Sequence, residues 1–158
     1  MSKIRQAKIE DISDIKRLLL QVCNVHNKIR SDLFKKDATK YTDDELSKII
    51  EENEKTPVLV FEDEGTIRGY LFAIIKETKG DNVLLDKKEF YIDDLCVDEH
   101  FRKNGIGRRL YERALSDAKE AGCDFVTLNV WDGNEKARHF YDSLGLKPRK
   151  TLLEKAIL

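Results

Sequence analysis

Residues 90–115, FYIDDLCVDEHFRKNGIGRRLYERAL, set a strand, a glycine turn and a helix in immediate succession, and this order constrains the rest of the chain. Phe90 to Val97 is apolar on both parities, with Tyr91, Leu95 and Val97 on one and Phe90, Ile92 and Cys96 on the other. A strand covered on both faces has that pattern. After the polar break Asp98, Glu99, His100, the chain passes Gly105 and Gly107 into Ile106, Leu110, Ala114 and Ala118, an apolar stripe at helical spacing. Gly122 suits the position just past the end of such a helix.

A glycine turn of this kind aims unpaired N–H groups and the positive end of a helix dipole at one spot, which suits a phosphate or pyrophosphate. No Lys-Ser or Lys-Thr pair follows the glycines, so a nucleoside-triphosphate loop matches poorly. A dinucleotide fingerprint needs a third glycine where this chain has Leu110. A tight strand-to-helix connection that binds nothing is the plain alternative for an isolated Gly-x-Gly.

The flanking residues weigh against that alternative. Arg102 to Gly107, Arg-x-x-Gly-x-Gly behind a buried strand, resembles the acyl-CoA binding motif of the GCN5-related N-acetyltransferase (GNAT) superfamily. Leu128 to Pro148, LNVWDGNEKARHFYDSLGLKP, is similar to the family's second motif: a strand, an Asn opening a helix, a Phe-Tyr pair and a Gly turn. The two stretches in this order are a far more specific signal than either alone.

The chain's 158 residues suit a single domain, 1–158, with a core of its own. Hydrophobic residues at 41% and charged residues at 37% make it globular and well solvated rather than disordered. A net charge of −1 gives no electrostatic case for nucleic acid. No signal peptide or membrane-length apolar run is visible, so a cytoplasmic protein is expected. Cys23, Cys96 and Cys123 are odd in number and widely spaced, which argues for buried thiols over disulfides. They and His26, His100 and His139 lack metal-ligand spacing, and no metal is expected.

Residues 3–7 read as a first strand, followed by a long helix with Ile12, Ile15, Leu18, Leu19, Val22, Val25 and Ile29 on its apolar side. Lys28 to Lys40 reads as a solvated basic connector. Thr42 and Glu45 form a capping box for a second helix reaching about Glu54, and Pro57 blocks its continuation. Val58–Glu62 and Thr66–Ile75 form a hairpin around Asp63, Glu64 and Gly65. Thr78 to Asn82 is a turn, and Val83 to Asp86 begins the next strand or extends the loop. A strand over Cys123–Val130 and a helix over Asn134–Leu144, ended by Gly145, precede a weaker terminal strand over Leu152–Leu158. The order β-α-α-β-β-β-α-β-α-β(-β) predicts an α/β (α+β) fold, a mixed, mainly antiparallel sheet of six to seven strands with helices on both faces. That is also the GNAT arrangement.

The resemblance implies acetyl-CoA as co-substrate. Its pantetheine arm would pair with the main chain of Leu95, Cys96 and Val97 in a gap between the central strand and Phe125–Val130. Its diphosphate would meet Arg102, Lys103, Asn104, Gly105, Ile106 and Gly107, and Asn134 would contact it too, unless that residue is only an N-cap. Asp93 and Asp94 are an anomaly in a run that otherwise looks buried, and as strand neighbours they should leave opposite faces. Each could simply bond a neighbouring loop. A similar Tyr-Leu-Glu-Asp run in spermidine/spermine acetyltransferases, whose Glu aligns with Asp93, implies a proton-removing role for Asp93, through a water because Asp is shorter. Glu89 and Tyr91 are the reserve acids. An amine acceptor with a pKa of about 10 must lose a proton before it attacks a thioester, and the departing thiolate needs one. Tyr141 matches the family's general acid, although by spacing alone it is a packing aromatic.

The same resemblance places the connector after the first helix over the acceptor site, with His26, Arg30 and Phe34 near the acceptor. The expected function is direct acetyl transfer from acetyl-CoA to a primary amine, small or peptidic, with no covalent enzyme intermediate. A non-catalytic acyl-CoA sensor, a protein N-terminal or lysine acetyltransferase, and a structural domain whose loop binds nothing are the alternatives. A homodimer through terminal strands is a further family expectation.

Overall fold

The computed structural model describes residues 1–158, and its architecture follows from strands whose alternate residues feed two separate cores. The elements are β1 (Ser2–Gln6), α1 (Ile12–Ile29), α2 (Asp43–Glu51), β2 (Val58–Asp63), β3 (Thr66–Thr78), β4 (Lys87–Val97), α3 (Ile106–Glu120), β5 (Phe125–Leu128) and α4 (Glu135–Ser143). The sheet order is β1-β2-β3-β4-β5, antiparallel up to β4, with β5 added parallel to β4 after the α3 crossover. On one face Ile15, Leu18 and Leu19 of α1 and Leu46 and Ile50 of α2 pack on Val58, Val60, Tyr70, Phe72 and Cys96. On the other, Ile106, Leu110, Ala114 and Ala118 of α3 pack on Leu59, Phe61, Leu71, Ala73, Phe90 and Ile92. No helix is long and apolar enough to cross a membrane.

Two sequence expectations change, and one open alternative is decided. The sheet has five strands instead of six to seven, because Leu152–Leu158 is extended but unpaired, with Leu152 at 94% exposure. Within one chain, residues 147–158 find no main-chain hydrogen-bond partner, so no strand can register there. Helix α2 stops at Glu51, short of Glu54, where the Thr56 hydroxyl donates to the carbonyls of Ile49 (3.1 Å) and Glu52 (3.2 Å). Val83–Asp86 is loop: Asp81 Oδ1 accepts the N–H groups of Val83 and Leu84, both at 2.8 Å, which curls the chain before β4 starts at Lys87. The ends of α2 and α4 otherwise match their signatures. Thr42 and Glu45 bond reciprocally, and Gly145 (φ +87°) donates to the Asp142 carbonyl while Leu146 donates to that of Tyr141.

Gly69, inside β3, sets how closely α3 can lie on the sheet. A Cβ there would sit 3.1 Å from the Cys96 carbonyl oxygen and 3.2 Å from side-chain carbons of Ile106 and Leu110. Two of these neighbours begin α3, so Gly69→Ala is expected to cost about 1–3 kcal/mol of stability through overpacking. Urea unfolding of the variant checks this, and an unchanged midpoint would mean that α3 can shift at little cost.

Candidate active site

The parallel pairing of β4 with β5 runs from Glu89↔Phe125 to Ile92↔Leu128 and then stops, although β4 continues to Val97. From Asp93 onward β4 remains paired to β3 but presents a main-chain edge with no strand partner toward β5. This is the edge that carries Leu95, Cys96 and Val97. The Val97 carbonyl accepts from Arg102 Nε at 3.2 Å, and Asn104 Nδ2 donates to the Phe101 carbonyl at 3.1 Å. These two side chains therefore fold back to shape the loop.

The loop is fixed from below by Asp98, only 2% exposed, whose carboxylate accepts from Arg17 (2.8 Å) and Arg68 (3.4 Å). Lys103 (φ +69°) and Gly105 (φ +74°) turn the chain so that α3 starts at Ile106 with its first N–H groups free of helical partners. Gly107 serves packing: a Cβ there would lie 3.1 Å from the Phe140 ring of α4 and 3.6 Å from Val97. An unpaired strand edge leading to a helix N-terminus fits a ligand with an extended amide chain ending in phosphates.

The two aspartates share one face, contrary to the alternation expected of strand neighbours. Phe72 pairs with Asp94 and Ala73 with Ile92, which leaves Asp93 as the extra residue of a β-bulge. Asp93 Oδ2 accepts from the Tyr41 hydroxyl (2.6 Å) and the Lys40 ammonium (2.9 Å). Asp94 Oδ2 accepts from the Tyr70 hydroxyl (2.7 Å). Tyr41 stacks on Phe72 at 5.7 Å and Tyr70 meets it edge-on at 4.9 Å, so both carboxylates face the side covered by α1 and α2. Burial raises the Tyr41 and Tyr70 phenols well above their ordinary range, and both remain donors at neutral pH.

Burial also pushes the Asp94 carboxyl up to about 6, against the opposing pull of the Tyr70 hydrogen bond. A folded value above the ordinary 3.8 means that the fold favours the protonated acid. The resulting stability is complete below about pH 4 and is lost as pH rises through about 6. We expect the wild-type unfolding midpoint, measured relative to Asp94→Asn, to fall across that window. A difference constant from about pH 4 to about pH 7 would place Asp94 in a more solvated setting.

On α4, Tyr141 is largely enclosed, its ring 5.1 Å from Phe140. Burial, with the Asp94 charge adding to it, drives its phenol upward. Asn134 caps α4, accepting the Ala137 N–H at 3.3 Å. Glu89 and Tyr91 lie where β4 and β5 are still paired; Glu89 is bound by Thr127 (3.2 Å) and Arg149, and the Tyr91 hydroxyl accepts from Asn129 (3.0 Å). Cys96 turns into the core toward the Leu18 carbonyl (3.7 Å), and burial pushes its thiol up to about 12.

His26, Arg30 and Phe34 come together as a wall. His26 and Phe34 are 4.9 Å apart, Phe34 meets Trp131 edge-on at 5.3 Å, and the Arg30 guanidinium lies 5.9 Å from the Trp131 ring. Arg30 also pairs with Asp32 and Glu154. Burial, with the Lys40 charge adding to it, lowers the His26 value and keeps the imidazole neutral at pH 7. Sequence reasoning missed Lys40, Tyr41, Tyr70, Trp131 and Gly69. Of these, Gly69 carried a signal, since a glycine within a strand marks close backbone approach.

Known proteins share this fold. A sequence profile of the acetyltransferase (GNAT) family matches residues 21–146. The crystal structure of a mutant of a Bacillus halodurans protein is 35% identical, superposes with a TM-score of 0.94, and is matched over 99% of both chains. An uncharacterized N-acetyltransferase of Bacillus subtilis is 30% identical over 144 residues, 90% of this chain and 87% of its own. Another, from Lactobacillus delbrueckii subsp. lactis, is 30% identical over 83 residues, which span 52% of this chain and about half, 47%, of that relative's length.

Proposed function

The chain belongs to the acetyltransferase (GNAT) family, and on that premise we propose that it transfers an acetyl group from acetyl-CoA to a primary amine by direct attack. The observation that carries this reading is the continuity of the unpaired β4 edge, which begins at the carboxylates Asp93 and Asp94 and ends beside the N-terminus of α3. Leu95, Cys96 and Val97 would hold the pantetheine amides, and Arg102 to Gly107 the diphosphate, with the free side-chain N–H₂ of Asn134 nearby on α4. When bound, acetyl-CoA supplies an activated thioester carbonyl.

The protein's own groups then divide the proton traffic. Asp93, directly or through a water, takes a proton from the incoming ammonium, and Asp94 adds negative charge that favours a cation. Tyr141, still protonated at neutral pH because of its burial, gives its proton to the departing sulfur. A main-chain N–H of the β4 edge, that of Leu95, polarises the carbonyl. The raised thiol of Cys96 speaks for direct transfer, because a buried neutral thiol is a poor nucleophile.

A thermal-shift titration with CoA followed by acetyl-CoA turnover on a panel of small amines and peptides tests this. Stabilisation of roughly 2.7 kcal/mol at a hundredfold excess over the dissociation constant, together with turnover of at least one amine, is the expected result. Binding without turnover on any amine would replace the enzyme with an acyl-CoA sensor. No shift at all would leave a structural domain.

The homodimer is part of the same proposal. The outer edge of β5 and the exposed apolar side chains Leu152, Leu153, Ile157 and Leu158 are complementary needs within one chain. A second copy meets both if each tail pairs with the other's β5. Sedimentation should then give a dimer for the full chain and a monomer for a chain ended at Lys150; a monomeric full chain would sink the idea.

A further inference from the structure

The connector between α1 and α2, read from sequence as a solvated basic stretch, delivers one amine to the reacting carboxylate. Its path is fixed at both ends. Asp37 donates its N–H to Asn24 Oδ1 at 2.8 Å and accepts from Asn24 Nδ2 at 3.0 Å, and Thr42 is locked as the α2 N-cap. Between these anchors Lys40 reaches Asp93 Oδ2 at 2.9 Å. The neighbouring Tyr41 hydroxyl binds the same oxygen, and the Lys40 ammonium lies 5.5 Å from the Tyr41 ring. Lys16, Lys3 and Lys88 also pair with carboxylates, but those of Asp43, Glu62 and Glu77, none of them at the bulge. Lys40 is half exposed, at 46%, and its four-carbon stem leaves the nitrogen free to move by an ångström or two.

On the reading of Asp93 as the base, an acceptor amine must present its nitrogen to this carboxylate, and Lys40 already does so. We propose that Lys40 is a cis acceptor, a site at which the chain acetylates itself from acetyl-CoA. In this step the Lys40 nitrogen forms a bond to the acetyl carbon and the carbon–sulfur bond breaks, its electron pair leaving with sulfur. Of the three ammonium protons, one stays on the amide nitrogen and one passes through Asp93 to water. The third is released as the amide forms and replaces the proton that Tyr141 gives to the thiolate.

The product amide carries no charge, so it can no longer hold Asp93 as an ion-pair partner. Self-acetylation therefore uncovers the carboxylate for an external amine. A free lysine at this position competes with that amine.

The inference rests on the proposed acetyl transfer, and the test separates the two. The full chain is incubated with acetyl-CoA alone and followed by intact mass and peptide mapping. Lys40 should gain one acetyl group, and Lys40→Arg should gain none at that position. Asp93→Asn and Tyr141→Phe should each slow the modification by roughly a hundredfold. Cadaverine at increasing concentration should suppress it. Turnover of external amines with Lys40 unmodified, or modified no faster than other lysines and equally in Asp93→Asn, would overturn the inference and leave the acetyltransferase standing. Failure of both Lys40 and every amine in the panel to become acetylated would overturn the two together.

Discussion

Tyr141→Phe is expected to lower the maximal rate of acetyl transfer by roughly a hundredfold to ten-thousandfold, with CoA affinity and folding nearly unchanged. The substitution is unusually clean here. The phenyl ring keeps its contact with Phe140 at 5.1 Å, and only the hydroxyl is lost. Burial and the Asp94 charge hold the phenol in its protonated form at neutral pH, which is the form a thiolate needs. Loss of a proton donor that acts only as sulfur departs lowers kcat and kcat/KM together and leaves binding alone. Steady-state kinetics with a thiol-trapping assay, beside a CoA thermal shift, would show this split. A variant with wild-type kcat would reduce Tyr141 to a packing aromatic, as its spacing beside Phe140 permits.

Much of this arrangement could be read along the chain because it depends on local chemistry. The capping box at Thr42, the C-terminal glycine of α4 and the apolar stripe of α3 are written in residues three or four apart. The loop at Arg102–Gly107 is local as well. What could not be read is set by partners far away in sequence. The bulge that turns Asp93 and Asp94 to one face depends on the register of β4 against Phe72 and Ala73 of β3, and an alternation rule applied to β4 alone sends them apart. Lys40 and Tyr41 looked like connector residues because their partner lies more than fifty positions on. Leu152–Leu158 has a strand's residues, but a strand also needs a paired edge, and residues 147–158 make no main-chain hydrogen bond to the rest of the chain. The close approach of the Phe140 ring to Gly107 is likewise set by a partner on α4, more than thirty residues away.

Asp93→Asn is the second large effect, and its pH dependence separates a base from a mere anchor. Asparagine keeps an oxygen that can accept from Tyr41 and Lys40, so the bulge and the loop should survive, but the amide takes up no proton. At neutral pH an amine with a pKa of about 10 is almost wholly ammonium, and the variant can use only the small neutral fraction, so transfer should drop by roughly a hundredfold. That fraction grows tenfold with each unit of pH, and the gap between variant and wild type should close toward about pH 10. Asp93→Glu, which restores the methylene, should retain transfer whether contact is direct or through a water. Asp94→Asn should instead raise KM for the amine, since it removes a charge without removing the base. A deficit in Asp93→Asn that stays constant as pH rises would assign Asp93 to binding. Collapse of kcat in Asp94→Asn instead would move the base one residue along the bulge, where burial has already pushed the carboxyl up to about 6.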